Sequence, residues 1–168
     1  VMMKGASGYS PTDTFSANLI LENGDNGWAF AQNDGNNNSV LTFTGKIKGT
    51  GKLGRINTKG SNYTYAFSGD ISGWSGTYES RSNAANFTIF RVLGDATVVN
   101  ANVVKESGVL NVEVQTGTSF NAAVTADQMI VNAAGKTATL AGTATLGSVA
   151  IDAGTLSLGA ENLVLGNV

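Results

Sequence analysis

Apolar and polar side chains alternate along this chain in short bursts, and glycine ends most of them. Leu41-Thr42-Phe43-Thr44 and Tyr63-Thr64-Tyr65-Ala66-Phe67 are two such bursts; Val109-Leu110-Asn111-Val112-Glu113-Val114 is a third. A period of two marks a strand with one face in a core, because successive side chains leave a strand on opposite sides. Phe67-Ser68-Gly69-Asp70-Ile71-Ser72-Gly73-Trp74-Ser75-Gly76-Thr77-Tyr78 sets three turn glycines among aromatic residues. Nothing between Leu41 and Glu79 carries a helical period. The pattern predicts a strand, a tight corner and another strand, repeated as the coils of a solenoid.

Texture and repetition extend that prediction over the chain. Twelve of the thirteen aromatic residues lie at or before Phe90 and only Phe120 follows, whereas the second half is Val, Ala, Thr, Leu and Gly. With no polar linker between the halves, residues 1–168 read as one domain, whose wide half holds large side chains and whose narrow half stacks small and β-branched ones. Residues 1–40 read as an irregular or capping part and 41–168 as repeating coils. Glu106-Ser107-Gly108-Val109-Leu110-Asn111-Val112 returns loosely as Asp152-Ala153-Gly154-Thr155-Leu156-Ser157-Leu158, with Gly135 between them. A repeat of about 20–25 residues gives seven or eight coils, each strand pairing in parallel with its counterpart above and below. Val109, Ile130, Leu140, Ile151, Leu156 and Leu158 are expected to stack inward, each worth on the order of 1.5–3 kcal/mol when buried. Outward Thr and Asn are expected to form ladders of like residues. The apolar run Leu163-Val164-Leu165, with no polar cap after it, and a start at Val1 suggest a piece of a longer chain, or an end that a partner covers.

Composition narrows the functions available. The 22 glycines are about double the usual share and 13% charged residues about half of it, as in an all-β chain of many short strands. There is no cysteine, hence no disulfide or thiolate metal site, and no histidine, which excludes Ser-His-Asp and Cys-His catalysis and His-ligated zinc. Net charge is −2, and the mild basic stretch Lys46, Lys48, Lys52, Arg55, Lys59 lacks the density that nucleic-acid binding needs. Lys46 and Lys48 alternate with Ile47, as on the wet side of a strand. No apolar run reaches the length of a membrane span.

Gly45-x-Ile47-x-Gly49-Thr50-Gly51-x-Leu53, followed by Phe67-Ser68-Gly69 and Trp74-Ser75-Gly76-Thr77-Tyr78, resembles the passenger-associated repeats of bacterial autotransporters. Ala153-Gly154-Thr155-Leu156-Ser157-Leu158 is similar to their recurring A-G-T-L-x-L phrase. The resemblance covers roughly Val40 to Leu165. It implies a right-handed, single-stranded parallel β-helix, secreted or displayed at the outer membrane of a Gram-negative bacterium. Such passengers serve as adhesins, self-associating stalks or carriers of separate enzymatic domains.

Several residue sets bear on chemistry. Gly49-Thr50-Gly51-Lys52-Leu53-Gly54 matches G-x-G-x-x-G with Asp70 downstream, but an alternating strand follows where the phosphate mechanism needs a helix N-terminus, so the glycines read as corners. Asp25 and Asp34 with their asparagines offer oxygens for a weak calcium site, though Asx turns satisfy the same residues. Asp70, Glu79, Asp95 and Glu106 are the acids that stacked coils would bring to one face in a polysaccharide-cleaving enzyme, which needs two carboxyls flanking a groove. Tyr63, Tyr65 and Phe67 share one side of a strand and are expected in the core rather than as sugar platforms. The expectation is a structural or adhesive rod with neither cofactor nor enzymatic activity, binding a host glycoprotein, a glycan or a sister molecule. A polysaccharide-active enzyme and a passive stalk are the alternatives.

Overall fold

A computed structural model describes residues 2–3, 12–22, 28–32, 39–56, 62–82, 87–159 and 163–166. Asp25 and Asp34 of the calcium candidate, Lys59 and the Asn36–Asn38 corner lie outside the described residues. The strands are β1 (Met2–Met3), β2 (Thr12–Phe15), β3 (Leu19–Leu21), β4 (Trp28–Gln32), β5 (Ser39–Phe43) and β6 (Ile47–Gly49). Then come β7 (Lys52–Ile56), β8 (Tyr63–Phe67), β9 (Gly73–Trp74), β10 (Thr77–Arg81), β11 (Phe87–Val92) and β12 (Val98–Val99). The chain closes with β13 (Asn102–Ser107), β14 (Val109–Val114), β15 (Ser119–Phe120), β16 (Val124–Leu140), β17 (Ala144–Leu158) and β18 (Leu163–Leu165).

Through β15 the paired strands stand three apart in chain order, and every pairing is parallel. One ladder runs β2-β5-β8-β11-β14-β16 and a second β1-β4-β7-β10-β13-β16, continuing through β17 to β18. A third side consists of β3-β6-β9 and, separately, β12-β15-β16. The molecule is therefore an all-β parallel solenoid, with about five turns in the ladder from β2 to β16 and no helix among the described residues. Residues 12–32 already contribute rungs: Phe15 pairs with Phe43, Leu19 with Ile47 and Phe30 with Leu53.

The turns tighten along the chain. The Lys46 N–H reaches Asn18, 28 residues back, and the Ser68 hydroxyl reaches Phe43, 25 back. Arg91 pairs with Glu113 at 22 residues, Asn121 with Asn100 at 21 and Lys136 with Thr116 at 20. As corners shorten, separate strands fuse: β16 and β17 each bend through corners without leaving the ladder.

Glycine makes the close corners. A Cβ on Gly45 would lie 2.2 Å from the Ala17 carbonyl oxygen, and one on Gly69 would lie 2.3 Å from that of Gly45, so stacked backbones touch at this corner. Gly51 and Gly76 do the same at the next one, where the gap is 2.1 Å. The Gly49–Gly54 segment is strand, corner and strand, from β6 into β7.

The core fills one seam. Tyr63, Tyr65 and Phe67 are buried together, as their alternation predicts. The inward set of the second half differs from expectation in phase. Leu110, Val112 and Val114 point inward while Val109 is half-buried, because Asn111 and Glu113 must face water and Val109 shares their side. Met129 and Val131 are likewise buried where Ile130 is not. Leu140 is buried and Leu156 packs against the core. Ile151 and Leu158 hold inward register with Val131 and Leu140, yet stay about half exposed on the last rungs. The recurring phrase is also displaced: Gly108 precedes β14 in the first ladder, whereas Gly154 precedes the 155–158 segment on the third side, beside Ala133.

Candidate ligand-binding cleft

Among the described residues, several outward charges are paired within the protein. Lys52 Nζ and Arg81 Nε bind the buried Glu79 carboxylate at 2.8 and 2.5 Å, Arg91 binds Glu113 at 2.5 Å, and Lys105 binds Asp127 at 2.6 Å. Except for Arg81–Glu79, which lies within β10, these pairs join one coil to the next, because the parallel register brings outward side chains one turn apart side by side. Polar neutral ladders do the same: the Asn121 amide donates to Asn100 Oδ1 at 2.9 Å, and Asn100 to the Ser72 carbonyl at 2.7 Å. The expected asparagine ladder is present here. Threonine stacks on threonine as well, with Thr14 beside Thr42, Thr125 beside Thr145 and Thr137 beside Thr155, none of them buried. Thr118 instead turns inward, its buried hydroxyl bonding the Ala96 carbonyl.

One stretch that departs from this pattern lies outside β3 and β6. A cleft of about 320 Å³ is lined by Asn18, Leu19, Ile20, Lys46 and Lys48. Alternation builds it: Leu21 and Ile47 turn into the core, so Ile20, Lys46 and Lys48 must turn out. Register places Ile20 beside Lys48, and Gly73 of β9 on the other side of Lys48. A Cβ at Gly73 would meet Lys48 Cβ at 3.0 Å, so glycine keeps the lysine stem close to bare backbone. Ile20 remains 61% exposed, the most exposed large apolar side chain among the described residues.

The two lysines differ. Lys46 Nζ lies 3.8 Å from Asp70 Oδ2. Asp70 is itself anchored, its Oδ1 accepting from the Ser72 hydroxyl at 2.7 Å and the Ser72 N–H at 3.0 Å. Those two bonds, the hydroxyl first, and the Lys46 charge hold its carboxyl below the usual aspartate value. Lys48 has no acidic partner among the described residues. Asn18 Oδ1 accepts from the Lys46 N–H at 2.8 Å, which leaves the amide NH2 as a donor at the rim.

The acids singled out from sequence are dispersed. Glu79 is buried between two cations on β10, Glu106 is exposed on β13, and Asp70 and Asp95 sit at corners of neighbouring turns. The basic stretch is divided too: Lys46 and Lys48 lie on the third side, Lys52 on the second ladder. Sequence reasoning placed Lys46 and Lys48 on a wet face correctly and missed Ile20 and Gly73. The partners of Lys48 come from 28 residues before it and from the turn after it, so only the register reveals them. Among the described residues no cluster of three acids or histidines stands ready for a metal, and no helix is long and apolar enough to cross a membrane. No family model, curated protein or solved structure matches this chain.

Proposed function

We propose that this chain is a rigid, adhesive or structural segment of a secreted or surface-displayed, autotransporter-like protein, without enzymatic activity of its own. Its coils wind right-handed and number seven or eight. The second ladder supports that number, since its rungs run from Met2 to Leu163. The role is to hold a long, low-charge surface straight while its faces meet a host glycoprotein, a glycan or a sister molecule. The observation that carries this reading is the pairing of outward charges from coil to coil in a parallel solenoid whose net charge is only −2. A rod of this kind binds through shape and short polar groups, with no cofactor.

The test is a glycan and host-matrix binding array run with the purified chain, beside sedimentation velocity. Saturable binding to a matrix or glycan component, or concentration-dependent assembly, is expected. A monomer that binds nothing on the array, or hydrolysis of a polysaccharide that disappears in Glu79→Ala, overturns the reading.

A further inference from the structure

We propose that the cleft at Ile20 and Lys48 binds an anionic sugar residue: a pyranose ring carrying a carboxylate or a sulfate ester. This rests on the adhesive reading and adds the ligand chemistry and its place. Lys52, Arg81, Arg91 and Lys105 already hold carboxylates of this chain, and Lys46 is shared with Asp70. Lys48 has no carboxylate among the described residues and is the cation of the cleft left to attract an outside anion. Asp70 at the Lys46 end repels such an anion and directs its charge toward Lys48.

The rest of the wall suits the body of a sugar. Ile20, side by side with Lys48, gives an apolar patch that covers the C–H face of a ring. A short acidic side chain placed on Lys48 would leave Ile20 wet. The Asn18 amide donates toward ring hydroxyls. A volume of about 320 Å³ is at the small end of ligand sites and fits one ring rather than an extended oligosaccharide.

The experiment is a titration of isotope-labelled protein, followed by amide chemical shifts. Its arms are tetragalacturonate (carboxylate), a sulfated uronate-free galactan tetrasaccharide (sulfate ester) and neutral maltotetraose. Shifts at Leu19, Ile20, Lys48 and Gly73 are expected with at least one anionic sugar, with a dissociation constant on the order of 1 mM. The stronger anionic arm identifies the charged group. Lys48→Gln should weaken binding about fivefold, Lys48→Arg should retain it, and Ile20→Ser should weaken it with the fold intact. Equal binding of maltotetraose, shifts centred elsewhere, no response to either anionic sugar, or unchanged affinity in Lys48→Gln overturns the proposal. On the host-matrix array, Lys48→Gln that keeps full binding removes the cleft and leaves the adhesive reading standing. Wild-type protein that binds nothing there and does not assemble removes that reading instead.

Discussion

The turns around Phe67 and those around Met129 follow one backbone plan and are filled in opposite ways. Near Phe67 the spacing between bonded turns is 25 residues, and rings stack from rung to rung. Phe43 lies 5.3 Å from Phe67, Phe67 lies 4.7 Å from Phe90, and Phe90 lies 4.9 Å from Tyr78. Two polar tips are satisfied inside: Trp74 Nε1 donates to the Gly51 carbonyl and the Tyr65 hydroxyl to that of Gly54. Near Met129 the spacing falls to about 20, and the interior is Met129, Val131, Ala133 and Ala138. The difference teaches that turn length and side-chain volume change together. A longer perimeter encloses a wider section, and close packing demands rings to fill it.

The contrast breaks most sharply at the corners. Gly76→Ala would drive a Cβ to 2.1 Å from the Gly51 oxygen and 2.7 Å from Trp74 Nε1, displacing a buried hydrogen bond; a loss of about 4 kcal/mol or more is expected in denaturant titration. Gly135→Ala, in the narrow half, meets nothing within 4 Å and should cost only about 1–2 kcal/mol, for its positive φ of 68°. Phe90→Ala should cost about 3–5 kcal/mol by the same titration, because it removes the ring that bridges Phe67 and Tyr78. Met129→Phe puts a ring where the shorter turn has no width for it, and overpacking should cost about 1–3 kcal/mol. If Met129→Phe is neutral, perimeter does not set volume. Thr88 points inward with a buried hydroxyl that has no partner among the described residues, so Thr88→Val should be neutral or stabilise by up to about 1 kcal/mol.

The smallest expected effect is on pH dependence. The Asp70 carboxyl titrates below its ordinary value of 3.8, so its ionised form contributes stability at neutral pH. That contribution is complete above the ordinary value and is lost as pH falls through the lower, folded-state value. The stability gap between wild type and Asp70→Asn, measured by thermal melts, should be present at pH 7 and close on acidification. A gap that widens in acid has the wrong sign.

Much of this architecture is legible in the chain before any coordinate is known. Tyr63-Thr64-Tyr65-Ala66-Phe67 declares a strand and the side that faces the core, because period-two alternation has one solution when three rings share a phase. That Thr64 and Ala66 are buried too is not in the pattern. Asn111 and Glu113 carry the same information for β14: with both on the wet side, Val109 lies there too and Leu110 faces inward. Ile151 and Leu158 illustrate another limit: phase says which way a side chain points, not whether another turn lies over it. Glycine spacing misleads for a third reason, since Gly108 and Gly154 serve different corners and only Gly135 and Gly154 share one. The cleft was legible only in its alternating lysines, because Ile20 meets Lys48 through a register that depends on turn length.

The most direct test of the parallel, narrowing stack is a set of through-space proton contacts in labelled protein. Phe90 is expected to contact Val112, and Val112 to contact Met129, with the amide-to-α-proton pattern of parallel strands. Close α-proton pairs across those strands would mark antiparallel neighbours and contradict the solenoid.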